Sequence, residues 1–107
     1  MTGDWLPPGS LTVTPAARER IAVEAARRRD ETPVVAWAFE RRERVKGTND
    51  WRHHGEGPFV DHRRDAPPDS QWRDGDLVFA VCIPREKLAQ RRAGRLDIGL
   101  NGALVLI

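Results

Sequence analysis

Residues 11–21 read LTVTPAARERI, a short β-favouring run followed directly by a helix start. Thr14 suits the N-cap, where its hydroxyl accepts a hydrogen bond from a first-turn N–H, and Pro15 has the backbone angle of the first helical position. Residues 16–29 are rich in strong helix formers, and small apolar residues recur along one stripe. This stretch therefore predicts a strand and then a helix that packs closely against a sheet.

Three other stretches predict strands. Residues 34–45 begin apolar on both faces and end in charged residues, as in a strand that starts buried and ends exposed. Residues 77–83 form a continuous apolar run typical of a buried strand. Residues 95–107 are mostly strand-like, and Asn101-Gly102 inside them is a strong hairpin signal. These stretches provide the main strands of a sheet.

The rest of the chain has weaker signals. Residues 1–10 contain two prolines and predict a flexible lead-in, whereas residues 46–70 are rich in Gly and Pro and predict a long irregular segment. Residues 85–93 predict a second helix that ends at Gly94. Residues 11–107 thus form a single small α+β domain, in which two helices cover a mixed or antiparallel β-sheet.

Composition excludes several classes of protein. The chain has 107 residues and one cysteine, so it forms no internal disulfide, and no apolar run approaches the roughly 20 residues of a membrane helix. We therefore expect a cytoplasmic protein with no membrane contact. The net charge is only +2, and acidic residues are interspersed with the arginines, which argues against an extended basic face for nucleic acid.

The sequence predicts no catalytic residue and no cofactor, because no nucleophile–base order, phosphate-binding glycine loop or paired carboxylate has a known spacing. Cys82 is a nucleophile only if a cation or helix start lowers its pKa. Its apolar neighbours favour a buried, inert side chain instead.

A histidine-rich segment is one candidate site. His53, His54 and His62 lie near several carboxylates, and imidazole with carboxylate suits a first-row divalent metal. The alternative is that these histidines are solvated side chains in a polar loop, since no known ligand spacing is matched.

Two Trp-Arg pairs are the other candidate site. Trp51-Arg52 and Trp72-Arg73 combine the residue types most enriched at interface hot spots, so they predict a surface for a partner protein. Two alternatives remain open. The tryptophans fold back to cover the sheet, or Trp51 binds nucleic acid weakly together with Arg41, Arg42 and Arg52.

Residues 11–31 and 77–107 resemble the A-type iron–sulfur carriers, the HesB-like family. The Thr14-Pro15-Ala16-Ala17 helix start is similar to the opening of that family, and Leu96-Asp97 stands where an Ile-Asp step is expected. The resemblance implies a HesB-like fold of β-sandwich type.

The same resemblance implies three cluster ligands that this sequence lacks. Family members carry one cysteine in a glycine-rich mid-chain loop and two in a Cys-x-Cys tail. Residues 45–57 contain no cysteine, the sequence ends at Ile107 before such a tail, and Cys82 matches neither position. Because thiolates hold iron–sulfur clusters, the resemblance implies a degenerate member without a cluster. We expect a non-enzymatic, protein-interaction or accessory protein.

Overall fold

The structure is a computed structural model that describes residues 3–100 and 102–107, with only the backbone of Glu43 and His54. The described residues form eight strands, two α-helices and one 3-10 helix. In chain order these are β1 (Asp4–Trp5), β2 (Thr12–Val13), α1 (Pro15–Arg27), β3 (Thr32–Arg44), β4 (Trp51–Arg63), the 3-10 helix (Pro68–Ser70), β5 (Gln71–Asp74), β6 (Leu77–Ile83), α2 (Arg85–Ala89), β7 (Arg95–Ile98) and β8 (Leu104–Leu106).

The strands form two sheets. The larger sheet has the order β1-β6-β3-β4, and β5 lies beside β1 along the same edge of β6. The smaller sheet has the order β2-β7-β8. The β3–β6 and β2–β7 pairs are parallel, and the other pairs are antiparallel. The mixed-sheet α+β class is therefore confirmed.

The main hydrophobic core joins α1 to both sheets. Ala17 and Ile21 of α1 are fully buried against apolar residues of the larger sheet and of β7 and β8. A smaller cluster on the other face of the larger sheet contains Val34, Ala80 and Cys82. None of the described helices is long and apolar enough to cross a membrane.

The predicted helix start is confirmed. Thr14 is the N-cap of α1, and its hydroxyl oxygen accepts a hydrogen bond from the Ala17 N–H at 3.2 Å. The same hydroxyl donates to Asp97 at 2.9 Å, and the Thr14 N–H donates to the Leu96 carbonyl at 3.0 Å. The helix start is thus tied directly to β7.

Replacing Thr14 by alanine is expected to lower the free energy of unfolding by about 1 kcal/mol or somewhat more, since it removes the cap and the bond to Asp97.

Hydrogen bonds from the Ile98 N–H and from Thr14 hold the pKa of Asp97 below its usual value. The stabilisation they give is present above the ordinary carboxyl pKa and is lost as the pH falls through the lowered one. Urea unfolding at neutral and acidic pH measures both effects. Thr14→Ser is the control that keeps both hydrogen bonds, and a loss in that variant equal to the alanine loss would contradict this account.

The prediction for residues 46–70 is wrong over much of its length. Residues 51–63 form β4, which pairs with β3 from Thr32 opposite Arg63 to Arg44 opposite Trp51. The apolar alternation of a half-buried strand is missing because much of this hairpin is exposed on both faces. Pro58 stands opposite Trp37 without interrupting the strand.

The prediction for residues 1–10 also fails in part. Asp4 and Trp5 pair with Ile83 and Cys82, and the side chain of Leu6 is fully buried. This short strand is held by long-range pairing with β6, which local sequence signals do not report. Met1 and Thr2 lie outside the described residues.

The second half of the chain follows the prediction closely. Residues 77–83 form β6 with the expected bounds, and β7 and β8 form the expected hairpin, although Asn101 lies outside the described residues. The second helix is shorter than expected, because it ends at Ala89. Gly94 instead has a φ of +54° in the connection to β7, a conformation that glycine adopts without strain.

Candidate interaction site

A two-stranded arm extends from the larger sheet. We define the arm as residues 39–56, the distal part of the β3–β4 hairpin, where each strand pairs only with the other. Of the arm residues whose exposure is described, all are exposed except Arg41 and Val45, which are half-buried. Gly47 has a φ of +82° at the turn, and the Val45 N–H bonds to the Asp50 carbonyl at 3.0 Å.

Trp51 lies near the tip of the arm, within cation–π distance of two arginines. Its side chain is 52% exposed, and Arg44 is its direct cross-strand partner. The guanidinium carbons of Arg42 and Arg44 lie 5.7 and 5.9 Å from the Trp51 ring centroid, which is cation–π distance. Arg42 and Arg44 are two residues apart on one strand and therefore share its face. The sequence pattern alone had not pointed to Arg44.

The arm carries cations that lack ionic partners among the described side chains. No described carboxylate forms an ion pair with Arg42, Arg44, Lys46 or Arg52, and Arg44 donates one hydrogen bond to the Asn49 side-chain oxygen at 3.2 Å. By contrast, Glu40 contacts His53 at 2.8 Å. A guanidinium has five N–H donors, and those that have no acceptor within the protein suit bidentate contact with carboxylate or phosphate. The arm can therefore bind an anionic group beside an aromatic ring.

Arg41 behaves differently from its neighbours and does not support the predicted nucleic-acid surface. It is half-buried and donates to the carbonyls of Pro58 on β4 and Leu104 on β8, at 3.4 and 3.3 Å. A Cβ added at Gly57 would lie 2.7 Å from the Arg41 guanidinium. Because Gly57 has no side chain, the Arg41 guanidinium has room to hydrogen-bond to both β4 and β8.

The two predicted Trp-Arg pairs do not form one surface. Trp51 and Arg52 lie on the arm, whereas Trp72 and Arg73 lie on β5, at the opposite edge of the larger sheet. Trp72 is only 8% exposed, donates to the Leu6 carbonyl at 3.0 Å and packs against Phe79. The assignment of Trp72 to a partner surface is therefore wrong, because this side chain belongs to the core.

The structure does not bring the three histidines together. His53 and His62 are nine positions apart on one strand, which separates their Cα atoms by about 30 Å. His54 is next to His53 on the same strand, and its side chain lies outside the described residues. Among the described side chains, no three metal-ligating residues form a group that could hold an ion. His53 and His62 are therefore too far apart along the strand to share one metal ion.

The side chains of His62 and Cys82 are both largely buried in the fold. The His62 ring lies 3.8 Å from the Glu24 carboxylate of α1, and both side chains are largely buried. Cys82 is 3% exposed, and burial raises the pKa of its thiol. The burial of Cys82 and its raised pKa both disfavour a thiolate at neutral pH, so the structure supports the interpretation of Cys82 as an inert core residue.

A second polar cluster lies at the base of the arm and was not predicted from the sequence. Glu56 accepts hydrogen bonds from Lys87 at 3.0 Å and from the Trp37 indole at 3.2 Å. These two bonds, Lys87 first, hold the pKa of Glu56 below its usual value. The guanidinium of Arg91 covers the Trp37 ring at 5.8 Å. Because these residues come from three distant parts of the chain, no sequence spacing could have indicated the cluster.

Comparisons with known proteins give no match to a family model, to a curated protein or to a solved structure.

Proposed function

We propose that this protein is a non-enzymatic interaction domain that contacts a partner protein through the arm. The observation that carries the proposal is the exposed Trp51, which lies near the tip of the hairpin within cation–π distance of Arg42 and Arg44. Trp and Arg are among the residue types most enriched at the hot spots of protein interfaces. The cation–π contacts already place these three side chains together, which lowers the entropy cost of binding.

The charges of the arm favour an acidic surface on the partner. Arg42, Arg44 and Arg52 offer donors without a described ionic partner, and carboxylates accept such donors in pairs. Nucleic acid is the weaker alternative, since the net charge of the chain is only +2. Arg41 was one of the predicted nucleic-acid contacts, but it donates to the Leu104 carbonyl within the fold, which weakens that alternative further.

A HesB-like fold without cluster ligands forms the second part of the proposal. The two stretches that resemble the family are neighbours in space, because β2 pairs with β7 and Thr14 bonds to Asp97. This contact between the two stretches supports the resemblance independently of the sequence motifs on which the resemblance rests. The only cysteine is in the core, so the chain has no set of thiolates for a cluster.

Replacing Trp51 by alanine is expected to weaken partner binding by about 30-fold, the effect of losing a hot-spot tryptophan. The tagged protein is used to capture proteins from lysate of its source cells, and capture is quantified by mass spectrometry. A captured partner is then purified and its affinity for both forms of the protein is measured by calorimetry. Because Trp51 is exposed, the variant should unfold at the same urea concentration as the wild type.

Val23→Ala is the matched control, since Val23 is 48% exposed on α1, outside the arm. This variant should retain full binding. Equal binding by Trp51→Ala would refute the role of the arm, and capture that disappears after nuclease treatment would favour nucleic acid. Iron and sulfide in near-equal amounts in the purified protein would refute the absence of a cluster.

A further inference from the structure

A cleft near the tip of the arm is lined mainly by cations. Its volume is about 310 Å³, and the described residues that line it are Arg44, Val45, Lys46 and Arg52. Of these four residues, three carry a positive charge and none carries a negative charge. The three cations are exposed, so a ligand reaches them directly from solvent. The volume lies at the lower end of the range for ligand pockets, so the cleft suits a small charged group carried by a larger molecule.

The cations of the cleft keep most of their hydrogen-bond donors available. Arg44 donates to the Asn49 side-chain oxygen at 3.2 Å, and its guanidinium lies 5.9 Å from the Trp51 ring centroid. A guanidinium has five N–H donors, so this one bond leaves most of them for a ligand. Lys46 and Arg52 make no side-chain hydrogen bond or ion pair with any described residue.

The three cations approach the cleft from different parts of the hairpin. Arg44 is on β3, Arg52 is on β4, and Lys46 is in the turn between the two strands. Like charges gathered around one space repel each other, and an anion placed between them replaces that repulsion by attraction. A phosphate group has three acceptor oxygens that point in different directions, whereas a carboxylate is planar and matches a single arginine.

The charge of the cleft suits a dianion. Glu43 is the cross-strand partner of Arg52, and its side chain lies outside the described residues. Even when the negative charge of Glu43 is counted against Arg52, the charges of Arg44 and Lys46 remain. A phosphate monoester carries a charge of about −1.5 to −2 at neutral pH, which balances these two cations.

We propose that the cleft binds a phosphate monoester carried by a phosphorylated side chain of the partner protein. This inference rests on the proposed function, because it names the chemical group that the arm contacts. Recognition of phosphorylated segments by clustered arginines is a recurrent binding mode. The charges disfavour a nucleic-acid backbone, whose phosphates each carry one charge and are spaced along the strand, because the three cations surround a single point.

The test is an NMR titration of the 15N-labelled protein at constant ionic strength and neutral pH, followed by the backbone amide signals of residues 44–52. The probes are three capped pentapeptides that differ only in the central residue, which is phosphoserine, serine or glutamate. Dimethyl phosphate is the monoanionic model of a nucleic-acid phosphate. We expect a saturable shift with the phosphoserine peptide, binding at least about tenfold weaker with the glutamate peptide, and no saturable shift with the other two probes.

Lys46→Ala should weaken binding of the phosphoserine peptide by about tenfold, the effect of losing one bond to a charged group. Lys46→Arg keeps the charge and should bind like the wild type, and Glu43→Gln should bind at least as tightly. Arg29→Ala is the matched control for net charge, since Arg29 is an exposed arginine just before β3, at the opposite end of that strand from the arm. It should retain full binding.

Three results would overturn the proposal. The first is equal binding of the phosphoserine and serine peptides, or binding of neither. The second is a loss in Arg29→Ala equal to that in Lys46→Ala, which would reduce the effect to general charge. The third is binding of dimethyl phosphate as tight as that of the phosphoserine peptide, which would favour a nucleic-acid backbone.

Phosphatase treatment of the lysate separates this inference from the proposed function. We expect the treatment to abolish the partner capture that depends on Trp51. Capture that survives phosphatase and still depends on Trp51 would refute the phosphorylated group and leave the role of the arm intact. Binding of the phosphoserine peptide without any capture that depends on Trp51 would support the cleft and refute the role of Trp51 in partner binding.

Discussion

Replacing Trp72 by alanine is expected to lower the free energy of unfolding by about 3–5 kcal/mol, as for other buried tryptophans. The ring is packed against Phe79, and its N–H satisfies the carbonyl of Leu6. Small domains have about 5–15 kcal/mol of stability in total, so this single change removes a large share of it. Urea unfolding followed by circular dichroism measures the loss.

Trp51→Ala is the matched control for this prediction, because Trp51 has the same chemistry but is 52% exposed. It should change stability by less than about 0.5 kcal/mol. Trp72→Phe should lose less than the alanine variant, since the ring remains and only the bond to Leu6 disappears. Similar small losses in both alanine variants would contradict the assignment of Trp72 to the core and restore it as a surface residue.

Replacing Leu6 by alanine is expected to cost about 2–5 kcal/mol, the range for large-to-small changes in a core. Leu6 is completely buried although it lies near the start of the chain in a segment with two prolines. Its N–H bonds to the Val81 carbonyl at 2.9 Å, which extends the β1 pairing with the central strand β6. Thermal and urea unfolding of the variant measure the cost.

Pro8→Ala is the control for Leu6, since Pro8 is an exposed neighbour. It should leave the midpoint of unfolding nearly unchanged. If Leu6→Ala also had no effect, the N-terminal residues would be the loose lead-in that their composition suggests. Because Trp72 bonds to Leu6, the double variant should lose less than the sum of the two single losses.

The elements that the sequence predicted well have strong local signals. The Thr14-Pro15 start determines where α1 begins, because a cap and a fixed backbone angle act within one helical turn. The strand at 77–83 is apolar throughout because it lies in the middle of the larger sheet. In each case the residues that define the element are contiguous in the chain.

The elements that were missed depend on distant partners. Strand β4 is polar and contains Gly55, Gly57 and Pro58, and its pairing with β3 is what makes it a strand. Strands β1 and β5 are short and lie at one edge of the sheet, where pairing with β6 outweighs weak local preference. Long-range pairing of this kind cannot be derived from a window of neighbouring residues.

The candidate sites divide in the same way. Trp51 and Arg52 were predicted from their residue types alone, and the structure places both side chains on the exposed arm. The same argument selected Trp72, which is buried, because residue type does not report which face of a strand is covered. The polar cluster that contains Arg91 could not be predicted from the sequence, because only the fold places the Arg91 guanidinium over the Trp37 ring.

The position of the Arg41 side chain across Gly57 bears on self-association of the protein. Strand β4 is the last strand of the larger sheet, and a strand in that position normally offers its carbonyl groups to any passing chain. Arg41 already donates to the carbonyls of Glu56 and Pro58 and connects them to Leu104 of β8. The Arg41 side chain thus occupies two carbonyl acceptors of the edge strand, and we expect this to disfavour edge-to-edge pairing with a second copy at Glu56 and Pro58.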